Sequence, residues 1–154
     1  MNEKITHLQM IQSIITRMEG NLFLLKGWAL TLIVALLALL ANRAHASLYL
    51  VSVCILFVFW VLDGYFLSLE RCFRGLFDEI RTKKDEEIDF AMNFKKYMIG
   101  KNTWMRSMFS VTLNIYYGVI LLIIVSVFFL TSVKSVNVNI AWKNNNPSPQ
   151  EVKK

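Results

Sequence analysis

The sequence is poor in charge: of its 154 residues only 18% are Asp, Glu, Lys or Arg, against 55% hydrophobic. That balance is too apolar for an ordinary soluble domain of this length. Cysteine is scarce as well, and two residues cannot make a disulfide framework. Cys54 lies inside an apolar run and Cys72 is 18 residues further on. On one continuous helix they stand about 27 Å apart, beyond bonding distance. Histidine is limited to His7 and His45, and no His, Cys or carboxylate spacing resembles a metal site. A glycine-rich phosphate loop is missing, a lone intramembrane aspartate cannot provide a two-aspartate protease, and Ser107 and Ser110 have no histidine base near them in sequence. Neither enzymatic activity nor a bound cofactor is expected.

What the chain has instead is long apolar runs. A bilayer crossing takes about 20 such residues. Leu22 to Ala41 is interrupted only by Lys26; a second run starts at Ala46, meets Asp63 and resumes through Leu69; Ser107 to Val133 carries no charge at all. The six residues from Asn42 to Ser47 make so short a link that the first two spans must form an antiparallel hairpin. The expected fold is therefore an all-α integral membrane protein with three transmembrane helices. Its expected segments are a cytoplasmic amphipathic helix over 1–21, the hairpin over 22–69, a basic, mixed-charge helical segment over 70–106, the third span over 107–133 and a disordered outer tail over 134–154.

Orientation follows from the basic residues. With the N-terminus inside, Lys4, Arg17 and nine basic residues from Arg71 to Arg106 are cytoplasmic, and Arg43, Lys134, Lys143, Lys153 and Lys154 are outside. Eleven against five favours that topology. The nine are offset by seven acidic residues over 70–106, so the chain's net +6 mostly reports orientation rather than a nucleic-acid partner. Ala44-His45-Ala46 has the small-x-small form of a signal-peptidase site, but the 21 residues before the run include Glu3 and Glu19 and the run is long for a signal core. An uncleaved anchor is the reading adopted.

Outside the spans, Ile5, Leu8, Ile11, Ile15 and Met18 recur at helical spacing, and Leu69, Phe73, Leu76, Phe77 and Ile80 do the same after the second span. The second span is thus expected to continue as a cytoplasmic helix, its apolar stripe packing on the first or resting on headgroups. Thr82 to Asp89 reads as a solvated turn. Phe90 to Gly100 mixes aromatics with Lys95 and Lys96, and Lys101 and Arg106 follow. With Arg71 and Arg74 these are candidates for contact with anionic lipid, or with a nucleotide or oligonucleotide. Asn102 before Thr103 and Trp104 looks like a helix cap with an interfacial aromatic, marking entry to the third span.

Polar residues at membrane depth are few. Lys26 and Asp63 lie equally far from the middle of the hairpin link, which places them at one height, about 6 to 9 Å inside the cytoplasmic edge. A charge there costs a few kcal/mol unless partnered, so an ion pair is expected. The alternative has Lys26 reaching the headgroups and Asp63 ending the span. Ser107, Ser110, Asn114 and Gly118 form a small or polar stripe on the third span, and Gly27, Thr31, Ala35 and Ala38 a comparable one on the first. Either stripe suits helix packing, within or between subunits. The third-span stripe would alternatively line a pore, closed outward by Leu121, Val125 and Phe128.

The stretches Phe23-Leu24-Leu25-Lys26-Gly27-Trp28-Ala29 and Phe59-Trp60-Val61-Leu62-Asp63-Gly64-Tyr65-Phe66-Leu67, followed by Leu69-Glu70-Arg71 and Phe73-Arg74, resemble parts of small bacterial inner-membrane proteins. The order of hairpin, helical segment and further span resembles membrane effectors of anti-phage defence systems. That resemblance implies a homo-oligomer that opens the membrane after a nucleotide signal. Without a separate sensor domain, recognition would fall to Arg71 through Arg106 or to a cytoplasmic partner protein. The other reading is a non-conducting anchor or regulatory interaction subunit.

Overall fold

A computed structural model describes residues 2–42 and 46–145. Arg43, Ala44 and His45, and with them most of the small-x-small sequence, lie outside the described residues, as does 146–154. The described chain is all helical, with no strand among those residues. Its helices are α1 (Asn2–Asn42), α2 (Ala46–Thr82), α3 (Trp104–Met108) and α4 (Val111–Asn145), with 3-10 turns at Asp85–Glu87, Phe94–Tyr97 and Gly100–Asn102 between α2 and α3. α1, α2 and α4 are each long and apolar enough to cross a membrane, as expected of a multi-pass membrane protein.

The amphipathic segment and the first span are one helix, not two. No proline interrupts residues 2–42, and a single internal glycine such as Gly20 costs only about 1 kcal/mol. Its buried residues Ile11, Ile15, Leu22, Ala29, Ile33 and Leu40 advance in steps of four and seven, which is the seam of a helix supercoiled on a neighbour. That neighbour is α2. At about 60 Å, α1 is twice as long as a hydrocarbon core is thick, so α1 and α2 project together beyond the apolar region. In the projecting part Ile11 and Ile15 meet Phe73, Leu76 and Ile80, with Leu8, Met18 and Phe77 around them. The two apolar stripes do pack on one another.

α4 lies antiparallel to α2 in a single register. Tyr117 Oη donates to Asp63 Oδ2 at 3.1 Å, and fourteen residues along each helix Tyr49 and Thr131 share a hydrogen bond of 2.6 Å. Between these contacts Ile33, Leu40, Leu56, Ile120 and Ile124 close the apolar core, and Leu113 extends it one turn before Tyr117.

Two boundaries differ from expectation. The third span begins at Val111, because α3 stops at Met108 and the chain turns through Phe109 and Ser110. The cause is on α2: Trp60 Nε1 donates to the Met108 carbonyl at 2.9 Å, taking the acceptor that a continuous helix would offer to Thr112. Gly64 permits this approach, since a Cβ there would come within 2.8 Å of Met108 Cα. At its other end α4 runs on to Asn145 instead of ending at Val133, so the tail is helical over its first twelve residues; the first proline after the span is Pro147. The 70–106 segment is helical only to Thr82; beyond it the chain forms a strap of 3-10 turns back to α3.

Candidate functional site

Two polar groupings stand out, one among the apolar helices and one where α2 projects. In the first, Lys26 Nζ lies 2.8 Å from Asp63 Oδ2. Hairpin symmetry thus locates both partners. Asp63 is fully buried, whereas the Lys26 side chain keeps about a quarter of its surface exposed. The same carboxylate oxygen accepts from Tyr117, and Tyr116 Oη donates to the Lys26 carbonyl at 2.8 Å, so α4 is tied to both arms of the hairpin at one height. Asp63 Oδ1 has no hydrogen-bond partner. Tyr116 and Tyr117 are site residues that the sequence pattern did not single out. Their phenol tips in an otherwise apolar run, two and three residues past Asn114, are the signal that could have found them.

The stripe of Ser107, Ser110, Asn114 and Gly118 does not hold together. The turn at Phe109–Ser110 puts the serines on a different segment from the other two. Ser107 is fully buried beside Arg71, whose Nη1 donates to its Oγ at 3.3 Å. Asn114 is exposed and donates to the Phe109 carbonyl at 3.3 Å, helping to close the turn. The face of α4 that packs inward is instead Leu113, Tyr117, Ile120 and Ile124, one residue out of phase. Large side chains fill the gap between α4 and α2, leaving the small residues outside. Gly118 borders a groove of about 230 Å³ formed with Val53, Leu56, Phe57 and Trp60 of α2. Leu121, Val125 and Phe128 also lie on this outer side. The stripe on α1 behaves likewise: Gly27, Thr31, Ala35 and Ala38 are all exposed.

The second grouping is basic. Arg71 and Arg74 of α2 and Lys101 and Arg106 of the α3 region line one pocket of about 780 Å³. Lys95 and Lys96 do not join them. The turn at Phe94–Tyr97 carries these lysines to another side of α2, where Lys96 Nζ meets Glu79 Oε1 at 2.9 Å and Lys95 is left exposed. Asn102 is not the expected cap: it ends a 3-10 turn and donates to the Tyr97 carbonyl, while Thr103 occupies the cap position without a side-chain cap bond. Trp104 opens the short α3 rather than the third span, its Nε1 donating to the Val61 carbonyl at 3.2 Å. Among the described residues no three of His, Cys, Asp and Glu gather as metal ligands would.

Glu79 fastens the strap to α2. Its carboxylate meets Lys83 at 2.5 Å and also Lys96, and it accepts from Tyr97 Oη. Gly75 leaves room for the Tyr97 ring, which a Cβ there would meet at 2.9 Å. The hydrogen bonds from Lys83, Tyr97 and Lys96 pull the Glu79 carboxyl down from its ordinary 4.5 to about 2. A carboxyl lowered on folding stabilises the fold above its ordinary value and loses that contribution as pH falls through the lowered one. The strap is therefore expected to loosen between about pH 4.5 and pH 2. Ring signals of Tyr97 in micelle NMR should broaden over that window, and Glu79→Gln should abolish the transition. A strap equally ordered throughout would contradict the assignment.

No family model, curated protein or solved structure matches the chain.

Proposed function

We propose that the chain is a small homo-oligomeric protein of the bacterial inner membrane, N-terminus cytoplasmic and C-terminus outside, acting as a channel-like effector governed from its basic end. The observation that carries this reading is the exposure of the small residues Gly27, Thr31, Ala35 and Ala38 on α1, together with the half-buried Gly118 on the groove side of α4. Small residues are favoured where membrane helices approach one another closely. Inside one chain the positions facing the axis are filled by Ile33, Leu113 and Ile124, so any path for ions requires several copies. With α4 turned toward the common axis, Asn114 and Gly118 would wet its cytoplasmic half, and Leu121, Val125 and Phe128 would form a constriction that closes by dewetting. The distribution of Lys and Arg supports the orientation. Its trigger would be a nucleotide signal or a partner protein meeting the basic end, as the resemblance to anti-phage membrane effectors suggests.

Gly118→Leu tests this, because a Cβ at Gly118 meets nothing within 4 Å and the single chain should fold unchanged. Full-length protein in mild detergent is expected to size as an oligomer and to conduct in planar bilayers; the variant is expected to be monomeric and silent, with wild-type helicity and melting. A monomeric wild type, or a variant that assembles normally, overturns the proposal. The groove of about 620 Å³ beside Met10, Phe90 and Met92 favours the second reading, a non-conducting interaction subunit. Assembly without current, together with co-purification of one other protein, would decide for it.

A further inference from the structure

We propose that the pocket between α2 and the start of α4 binds a phosphate ester, carried either by an anionic lipid headgroup or by a free nucleotide. This rests on the reading of the basic end as the receiving end, although the site itself is complete within one chain. Three cations face the pocket with donors to spare. Lys101 and Arg106 are exposed and have no ion pair among the described residues. Arg71 is held in place by bonds from Nη1 to the Lys101 carbonyl and Ser107 Oγ, leaving the rest of its guanidinium fork uncommitted. Arg74 contributes less, because Glu19 and Glu70 already neutralise it. Asp78, also on the wall, is drawn aside by Arg81 at 3.6 Å.

The pocket also holds neutral donors suited to an anion. Ser110, whose Oγ is shielded from solvent and without a hydrogen-bond partner among the described residues, stands on the same wall. Ser110 and Val111 line the same pocket and open α4, a helix of 35 residues whose first-turn N–H groups have no acceptor within the helix. Guanidinium, ammonium, hydroxyl and helix N-terminus thus converge on one volume, where tetrahedral phosphate oxygens can use all four. The rim adds Met105, Phe109 and Val111, exposed by 61%, 55% and 74%, beside the point where the third span begins. An acyl chain attached to the phosphate would lie along that rim. Because the pocket straddles α2 and the turn at Phe109–Ser110, an occupant would pull α4 toward Arg71 and set the angle at which the span leaves the turn.

Native mass spectrometry of the full chain in neutral detergent tests this without reference to assembly or current. Phosphatidylglycerol and ATP are titrated separately and then against each other. One of them is expected to saturate a single high-affinity site per chain. Phosphatidylglycerol retained against excess ATP identifies the lipid source; ATP saturating the lipid-free chain identifies the free one. Lys101→Gln with Arg106→Gln should weaken binding at least about tenfold, the loss expected for two charge-assisted bonds. Ser110→Ala, which removes an already unpartnered hydroxyl and so should fold normally, should weaken it about threefold. Lys84→Gln with Lys95→Gln also removes two positive charges but lies off the pocket and should change affinity less than about twofold. Absence of saturation by either probe overturns the proposal. So does a loss in that off-pocket pair equal to that of Lys101→Gln with Arg106→Gln, which would mean a diffuse field rather than a site.

Discussion

Lys26→Met is expected to destabilise the helix bundle by about 3–5 kcal/mol, the usual result of stripping one partner from a buried ion pair. Asp63 is the reason the loss is so large. Its side chain is fully buried, Oδ1 has no partner, and without Lys26 the carboxylate keeps only the Tyr117 hydroxyl. Asp63→Asn should cost less, about 1–2 kcal/mol, because the amide still accepts from Tyr117 and the partly exposed Lys26 can extend its stem toward the headgroups. The pairing therefore predicts an asymmetry between its two ends, not merely two losses. Lys26→Met combined with Asp63→Leu should recover most of the stability, since an apolar pair of similar volume removes the desolvation cost on both sides. Unfolding in mixed micelles of the wild type, Lys26→Met, Asp63→Leu and their combination gives the coupling energy directly. An additive double variant would mean that the two groups do not act together. Equal single losses would mean that burial of Asp63 is not what sets the scale.

This pair was legible in the sequence because hairpin geometry is local. A six-residue link fixes which residues of the two arms share a height, and only one acid and one base lie inside the first two apolar runs. The third helix was less legible. Its entry turn depends on Trp60, whose indole takes the Met108 carbonyl from a distance of 48 residues in sequence, and nothing near Phe109 announces this. Its inward face was missed by one residue for a related reason. Small and polar residues mark an interface, but the pattern does not say whether the interface lies within a chain or between chains. Here Leu113, Tyr117, Ile120 and Ile124 pack inward, which leaves Asn114 and Gly118 outside. The basic segment is one group along the sequence and two in the fold. Arg71 and Arg74 share a helical face, and Lys101 and Arg106 are returned to them by the strap, whereas one 3-10 turn commits Lys96 to Glu79.

Phe73→Ala should have the second large effect, a loss of about 3–5 kcal/mol, and its character should differ from that of the ion pair. Phe73 is buried where α1 and α2 project together, in contact with the cluster of Ile11, Ile15, Leu76 and Ile80. On its other side the ring lies against Phe94 of the strap, with centroids 4.9 Å apart and planes inclined at 31°. One side chain thus joins α1, α2 and the strap at the projecting end, away from Lys26 and Asp63. Its truncation leaves a cavity bounded by α1, α2 and the strap, and the strap, with short turns and few buried residues, is the part able to leave. Proteolysis should therefore accelerate first within residues 83–103, while the register between α2 and α4 survives. That register can be followed separately through the fluorine NMR signal of a 5-fluorotryptophan at position 60, whose ring lies 6.5 Å from that of Tyr117 on α4. Loss of that native signal at the same denaturant concentration as strap cleavage would show that the projecting end and the apolar bundle unfold as one unit. Cleavage well before it would show two units, with the strap and the basic pocket free to respond to a ligand while the three apolar helices stay assembled.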